Sequence, residues 1–542
     1  MILKDKASKL NFFRSFVILV FTLFVIHSKN SAQVTVINTA EFQIGKSNDR
    51  LTSRTGWYDQ FNINYSANPF NFGFRLENYT SSENETAYSS LSQRYIEIRK
   101  DAFRVRLGNF YSIFGNGISQ RSFDLPGVIL EDLGSFSRYT PTRDLNGILL
   151  EYSFSSSQIT LLRGTPVEST ISPSSNFDLL SQYDRRSGII EGGEIEFDFS
   201  DLLGLGSSYL HLIPEKDNGI ENEIFSFSLN LKSNFFSSIH KITGLYIDIE
   251  GELSNRDRNI LTDGINASAD SPHALYLALN MDYKSLSLSS EFKDYLSYNL
   301  GVNDPPSLVK EHSYVLLNRD THVLLPQDER GYQIEVSYFY SQFTTLTTNF
   351  SFARNNIFSY DTDFSERFFE ISHRFADKLK GTFYFVNSKD EFNSITNKVT
   401  FGSSWDFNLT LNTSTTFDIA LQEAERDFEF YLDKNDVLRR LETSKYRNLY
   451  MSLSFGKSGL YSAGFLTERS TDLLDTDRGS TIDIIETSAR WWTSVNLSFE
   501  IGMNHQVRIF AGIRRGGPAC TAGTCYELLP FEGLEINITS RL

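Results

Sequence analysis

The last ten residues constrain the fold more strongly than any other part of the chain. Residues 533–542 read GLEINITSRL, so apolar and polar side chains alternate up to the terminal carboxylate. Because successive side chains of a β-strand point to opposite faces, this period of two predicts a strand with one apolar and one polar face. Leu534 and Ile536 lie on the apolar face, and Glu535 and Asn537 lie on the polar face. The chain is therefore expected to end in a sheet that is wet on one side only.

The first 32 residues have the three-part pattern of a signal peptide. An apolar core, Phe16–Ile26, precedes the small and polar residues of Asn30–Ala32, and the start is basic. This pattern predicts cleavage near Ala32/Gln33, and the apolar core is shorter than the roughly 20 residues of a spanning helix. An uncleaved anchor helix is the alternative. The basic residues are Lys4, Lys6, Lys9 and Arg14.

A secretory signal combined with a closing strand of this kind resembles bacterial outer-membrane β-barrels. In those proteins the terminal residue is apolar, more often Phe than the Leu542 of this chain. The resemblance implies a location in the outer membrane of a Gram-negative bacterium. It also implies that the barrel-assembly machinery recognises the C-terminal strand and that membrane lipid surrounds the barrel.

Short and long connections alternate along the whole chain, as in outer-membrane barrels with tight periplasmic turns and long extracellular loops. Counting strands by this rule predicts a single transmembrane antiparallel β-barrel of about 24 strands (22–26), with both termini in the periplasm. It would occupy residues 33–542 and leave no separate plug domain. The predicted turns lie at residues 68–69, 101–102, 155–157, 200–204, 233–237, 283–285, 342–345, 376–378, 406–408, 456–459 and 502–505.

Other all-β folds would also show alternating strands. A soluble sandwich does not usually keep one face polar over some two dozen strands, and no repeat of 40–50 residues suggests a propeller. These folds remain as alternatives. Trp491, Tyr58, Tyr111, Tyr338 and Tyr340 suit the aromatic girdles at the two membrane interfaces, although strands are generally rich in aromatic residues.

Composition excludes several classes of protein. The net charge is −16, and removal of the predicted leader, which carries +4, brings it near −20. A nucleic-acid partner is therefore not expected, because phosphate binding needs a basic surface. A mean hydropathy of −0.28 argues against a helical membrane bundle but not against a barrel, in which only alternate residues face lipid.

Strand parity places charges of both signs on the inward face. Pairing between neighbouring strands is the simple explanation for such residues, and contact with a solute is the alternative. The predicted inward residues are Glu97, Arg99, Arg104, Arg106, Glu151, Glu291, Lys293, Glu335, Glu370, Arg374, Arg508 and Arg514.

Two long connections are candidates for constrictions of the lumen. The first, residues 112–144, is rich in aromatic residues and glycine, and Gly115 and Gly117 permit a sharp fold. The second, residues 301–330, is similarly long, and loops of about 30 residues indicate a function or packing inside the barrel. Further candidates in these two loops are Phe114, Arg121, Glu311, His312, Arg319 and His322; Arg104, Arg106 and Glu335 of the wall complete the set.

No catalytic or metal site is predicted. His312, His322, Glu311 and Asp320 fit no established metal-ligand spacing, and the sequence contains no convincing nucleophile triad or phosphate loop. The chain is therefore not expected to be an enzyme or to need a cofactor.

The two cysteines, Cys520 and Cys525, lie in one predicted extracellular loop. Export exposes them to an oxidising compartment, so a disulfide between them is the expectation. A redox role is the weaker alternative, because the spacing differs from that of the redox motif.

Three groups of residues resemble a barrel family, mostly from Bacteroidetes-type bacteria, that is known only as a domain of unknown function. They are 108–111 with 114–117 (GNFY and FGNG), 311–312 with 317–319 and 329–333 (EH, LNR and ERGYQ), and 514–517 with Cys520, Gly523, Cys525 and Pro530. The resemblance covers most of the chain and implies an outer-membrane barrel, but it implies no reaction.

The sequence favours a channel of the porin type for small polar solutes, because a wide barrel with a wet wall of mixed charge commonly lets solutes through. The alternative is a non-conducting binding or assembly barrel that anchors a surface or periplasmic partner.

Overall fold

The computed structural model describes residues 33–47, 53–82, 87–132, 137–167, 186–199, 202–214, 221–239, 242–258, 272–298, 300–303, 305, 312–319, 328–357, 360–431, 439–472, 489–521 and 524–542. The signal-peptide prediction and the candidates Glu311 and His322 lie outside these residues.

Within the described residues, 24 antiparallel strands form one closed ring. Each strand pairs with the next along the ring, and β24 pairs with β1 from Ile37↔Arg541 to Ser47↔Phe531. The strands are β1 (Gln33–Ser47), β2 (Arg54–Ala67), β3 (Phe70–Ser81), β4 (Tyr88–Lys100), β5 (Phe103–Phe110), β6 (Leu145–Phe154), β7 (Ser157–Pro166), β8 (Ile189–Phe199), β9 (Leu203–Ile213), β10 (Asn222–Leu231), β11 (Leu245–Arg258), β12 (His273–Tyr283), β13 (Leu286–Leu296), β14 (Asp328–Ser341), β15 (Thr344–Ile357), β16 (Tyr360–Ala376), β17 (Leu379–Asp390), β18 (Ile395–Thr410), β19 (Thr413–Tyr431), β20 (Arg439–Lys457), β21 (Tyr461–Ser470), β22 (Arg490–Ile501), β23 (His505–Arg514) and β24 (Phe531–Arg541).

The predicted closed antiparallel barrel of about 24 strands is confirmed. Its connections alternate between short and long. One end of the barrel, the turn end, carries the tight turns, the first residues of β1 and the last residues of β24. The other end, the loop end, carries the long connections. Two predicted turns are wrong in detail. Residues 233–237 belong to a helix, α1 (Ser233–Ile239), and residues 406–408 continue β18, whose turn to β19 lies at residues 411–412. In both places polar and small residues signal a break but do not fix its geometry.

The outward face of the barrel is an apolar belt. On β19, Leu421 is 56 % exposed and lies opposite the exposed Phe401 of β18, and Leu453 of β20 is exposed nearer the turn end. Above these positions, toward the loop end, the outward side chains become charged and pair across strands, as in Arg447–Glu423 at 2.8 Å. An exposed apolar band bounded by charge is the surface that faces lipid in an outer-membrane barrel. Among the described residues, no helix is long and apolar enough to cross a membrane.

The aromatic residues divide between the two faces. Trp491, Tyr338 and Tyr340 are exposed on the outward face, in agreement with a position at an interface. Tyr58 instead points into the lumen, is 1 % exposed and donates a hydrogen bond to Glu77 at 3.2 Å. Its neighbour Trp57 occupies the outward position, so the alternation of the strand forces Tyr58 inward.

The core lies inside the loop-end half of the barrel. Every barrel strand contributes at least one inward-facing side chain that is buried, and these side chains form the wall of a filled layer. The turn-end half of the lumen, in contrast, is lined by half-buried and exposed polar side chains, such as Glu196 and Ser228. The barrel is thus filled at one end and wet at the other.

Candidate functional site

The connection between β5 and β6 folds into the barrel, and we call it the first inward segment (residues 111–144). In its described part, three short ladders fold the segment back on itself rather than pairing it with the barrel strands. The ladders join Ile113–Phe114 to Gln120–Arg121, Phe123–Asp124 to Thr142–Arg143, and Leu130–Glu131 to Arg138–Tyr139.

The tip of the first inward segment is held by two carboxylates of the barrel wall. The backbone N–H of Gly115 donates to Glu194 Oε1 of β8 at 2.8 Å, and the N–H of Asn116 donates to Glu252 Oε2 of β11 at 2.6 Å. Gly115 has a φ of +51°, and a Cβ at this residue would lie 2.4 Å from Glu252 Oε2. Glycine adopts this left-handed conformation without strain, and a larger residue here would require the Glu252 carboxylate to move.

Apolar residues seat the tip against the wall. Phe114 and Ile118 are fully buried, and they pack against a patch of the inward face near the loop end. This patch consists of Leu145, Leu149, Leu162, Ile190, Leu210, Ile224, Ala274 and Tyr276 from strands β6 to β10 and β12. Burial of large aliphatic and aromatic side chains stabilises such contacts by about 1.5–3 kcal/mol per side chain.

Arg138 anchors the far end of the first inward segment beside the junction of β24 and β1. Its guanidinium lies 2.5 Å from Glu41 and donates to Gln43 at 3.0 Å and to Glu131 at 3.3 Å. Although burial alone would lower the pKa of Arg138, the carboxylates of Glu41 and Glu535 raise it above its ordinary value. The arginine is therefore a permanent cation that ties the segment to the wall.

Two further ion pairs attach the same segment to its surroundings. Arg75 of β3 makes a bidentate contact with Asp124, at 2.6 and 3.1 Å. Asp144, at the end of the segment, pairs with Arg186 at 2.6 Å and accepts a hydrogen bond from Asn109 at 2.7 Å. Paired and hydrogen-bonded charges of this kind fix position, because removing one partner leaves a buried charge.

The second inward segment, residues 312–319, packs against the opposite side of the lumen. Leu316 and Leu317 lie in a cluster with inward side chains of β16, β17, β19 and β20, and the short helix α2 (Val315–Asn318) presents them. His312 Nε2 lies 2.6 Å from Glu366, and the Tyr314 hydroxyl donates to Glu370 at 2.7 Å. The segment therefore combines apolar packing with polar contacts to the wall, as the first segment does.

Tyr314 stays protonated at this contact. Burial, together with the adjacent Glu370 carboxylate, raises the pKa of the Tyr314 hydroxyl. Its ring stacks on Tyr384 at a centroid distance of 3.7 Å. The hydroxyl is thus a stable hydrogen-bond donor that holds the second inward segment to β16.

Below the first inward segment, a cavity of about 500 Å³ opens toward the turn end. We call it the vestibule. Gly115 and Asn116 form part of its boundary on the loop side, and Ser155 and Ser156 of a tight turn line its other end. Its wall is polar, with Ser153, Gln158, Glu196, Ser228, Asn230 and Glu250, and Asp198 pairs with Lys232 at 2.5 Å.

The inward residues predicted on the wall have structural partners. Arg104 bridges two carboxylates, Glu97 at 2.9 Å and Glu151 at 2.8 Å. Arg106 stacks on the Tyr95 ring at 3.5 Å. These contacts account for the four charged residues by pairing and stacking along the wall.

The remaining candidates fall in several places. Glu335 accepts a hydrogen bond from Asn349 at 3.3 Å on the inward face, and the backbone N–H of Arg121 donates to Val302 at 3.2 Å. Gly117 has a φ of +82° just after the tip. Within the described part of the chain, no group of three or more His, Cys, Asp or Glu residues could hold a metal ion.

Residues that sequence reasoning did not single out make the decisive contacts. Glu194, Glu252, Glu366 and Glu468 each bind an inward segment. Strand alternation would have placed them inward, but it could not show which loop meets them, because their partners lie 54 to 149 residues away in sequence.

A closed barrel with an apolar belt and a polar lumen defines an outer-membrane β-barrel. Within that class, the chain belongs to the family of unknown function DUF6029, whose model matches residues 14–542. The family supplies no activity. No curated protein sequence matches the chain.

The solved structures to which the chain is similar include proteins of Pseudomonas aeruginosa and Acinetobacter baumannii. The chain is similar to Pseudomonas aeruginosa OpdQ, with 11% identity, a TM-score of 0.38, and coverage of 69% of this chain and 98% of that chain. The chain is also similar to Pseudomonas aeruginosa OccK9 (OpdG), with 11% identity, a TM-score of 0.40, and coverage of 69% of this chain and 97% of that chain. For Acinetobacter baumannii OccAB1 the identity is 13%, the TM-score is 0.37, and the match covers 67% of this chain and 92% of that chain.

Proposed function

We propose that the protein is an outer-membrane channel for small polar solutes and that the structure represents its closed state. The observation that carries this proposal is the polar vestibule, about 500 Å³ in volume, which ends on a loop tip held by hydrogen bonds. A polar lumen suits the passage of hydrated solutes, and the two inward segments close it at the loop end. No catalytic role is proposed.

The way in which the segments are attached supports gating. In the described residues, the first inward segment pairs only with itself and not with the ladders of the barrel. Its contacts with the wall are side-chain packing, ion pairs and isolated hydrogen bonds. The segment can therefore leave the lumen without breaking the hydrogen-bonded ring that keeps the barrel closed.

We further propose that a signal peptide is cleaved near Ala32/Gln33, that the source is a Bacteroidetes-type bacterium, and that the barrel-assembly machinery recognises the C-terminal strand. The basic and apolar pattern of residues 1–32 supports cleavage, and the alternating strand β24 supports recognition by the assembly machinery. The proposed source rests on the resemblance of residues 108–117, 311–333 and 514–530 to the barrel family found mostly in such bacteria.

A non-conducting barrel is the second candidate. The complete ring of buried inward side chains near the loop end favours it, because a lumen filled on every side offers no path. In that case the barrel would anchor a surface or periplasmic partner.

Planar-bilayer recording separates the two candidates. We expect small or rare currents for the wild-type protein and steady single-channel currents after residues 113–142 are replaced by a short Gly/Ser linker. A matched control shortens the connection at residues 391–394, whose hydrogen bonds run to the adjoining strands at Asp363, Asp390 and Asp427, and should leave the currents at the wild-type level. If the replaced barrel is folded and still silent, the channel proposal is wrong and the anchoring role is favoured.

A further inference from the structure

The last loop, residues 515–530, contacts both inward segments. On one side, Arg319 of the second inward segment donates from Nη1 to the carbonyl oxygens of Arg515 and Gly516, each at 3.2 Å. Glu468 of β21 binds Arg319 and lies 3.8 Å from the guanidinium of Arg515. Arg319 and Glu468 are both largely buried, so this contact is shielded from water.

On the other side, the same loop lies beside the first inward segment, where Thr524–Leu528 approaches Leu130–Glu131. Leu528 and Leu529 line a small cavity of about 20 Å³ together with Ile129 and Leu130. Arg138, which anchors the first inward segment to the wall, lines it as well. The contact is thus continuous with the charged anchor near the junction of β24 and β1.

A hairpin joins these two contacts. Gly517–Thr521 pairs with Thr524–Leu528, and Gly517 lies directly opposite Leu528 in the register. Gly516, which accepts from Arg319, is the residue before this pair, and Leu528 is part of it. The two contacts therefore lie at the base of one hydrogen-bonded unit and cannot move far apart independently.

We propose that the last loop is a strap that couples the two inward segments, so that they leave the lumen as one unit. Loosening the strap at either side weakens the hold on both segments, even though the described contacts that fix each segment to the wall are separate. The strap acts on the attachment of the two segments, so this coupling is independent of whether the barrel conducts.

The test is amide hydrogen exchange, measured by mass spectrometry on the full-length protein in lipid nanodiscs. Arg319→Gln removes the hydrogen bonds to the carbonyl oxygens of Arg515 and Gly516 in the strap, together with the ion pair to Glu468 of β21. We expect exchange to rise by about tenfold, the effect of one lost hydrogen bond to a charged group, in residues 312–319 and also in residues 113–121. The second peptide is the informative one, because Arg319 does not belong to the first segment.

A matched variant separates coupling from simple loosening. Tyr314→Phe removes the hydrogen bond to Glu370 but leaves the strap contacts in place, so exchange should rise in residues 312–319 alone. Leu528→Ala, made from the other side, should raise exchange in both segments. Retention of the folded, heat-modifiable form on gels confirms that each variant has assembled.

The strap is refuted if Arg319→Gln and Leu528→Ala each affect only the segment they touch. It is also refuted if Tyr314→Phe loosens both segments equally, because the coupling would then not pass through the last loop.

Discussion

At the scale of single residues, Gly115 sets how closely the tip of the first inward segment approaches the wall. Gly115→Ala should displace the tip, because the left-handed backbone costs about 1–2 kcal/mol for a residue with a Cβ and the new atom would overlap Glu252. We expect a lower temperature of conversion from the folded to the unfolded gel band and faster exchange of the Gly115 and Asn116 amides.

Gly127→Ala is the matched control for this substitution. Gly127 has a φ of +80°, but a Cβ there would meet no atom within 4 Å. Gly127→Ala therefore has the energetic cost of a left-handed backbone but no overlap of the new Cβ with a neighbouring atom. If the two variants behave alike, the carboxylates of Glu194 and Glu252 do not fix the tip.

For a single residue, the sequence predicts which face of the barrel wall its side chain occupies, but not which distant residue that side chain contacts. Alternation correctly places Glu97, Arg104 and Glu335 on the inward face, because a strand allows only two directions for a side chain. It could not join Arg319 to Glu468, because that contact depends on how a loop folds back across the lumen. The functional roles assigned to the candidate residues remain predictions.

At the scale of elements, strands β6 to β10 show where simple alternation breaks down. Leu149 and Leu150 are adjacent and both apolar, and so are Leu161 and Leu162. The outward members of these pairs face lipid, whereas the inward members pack beneath the first inward segment. Apolar residues on both faces of a strand indicate that both faces are covered, which is a signal of an inward-folded loop.

The hairpin of the last loop allows the predicted disulfide between its two cysteines to be tested. Cys520 and Cys525 are directly opposed in its register. Opposed residues of an antiparallel pair have Cα atoms about 4.5–5.5 Å apart, within the range that a disulfide bridges. We expect non-reducing mass spectrometry to show the loss of two hydrogens in the peptide that contains both. Free thiols that react with alkylating reagents on intact cells would contradict the bond.

At the scale of the whole molecule, the fold follows from connection lengths and strand periodicity. These features require only local sequence, so the strand number could be predicted from them. The filling of one half of the lumen required long-range contacts, such as the 136-residue separation between Asn116 and Glu252, and sequence could suggest only that the long loops were candidates.

The division of the lumen into a filled half and a wet half is tested most directly by cysteine accessibility at two neighbouring inward positions of β10. Ser228 lines the vestibule, whereas Ser226, one inward position closer to the loop end, is buried and hydrogen-bonded to Ser254 at 2.6 Å. Each is changed to Cys in a chain whose Cys520 and Cys525 are replaced by Ser. With a membrane-impermeant thiol reagent, we expect Ser228→Cys to react only when the reagent reaches the turn end, and Ser226→Cys to react from neither side. Rapid modification of Ser228→Cys by reagent added outside intact cells would contradict a lumen closed at its loop end.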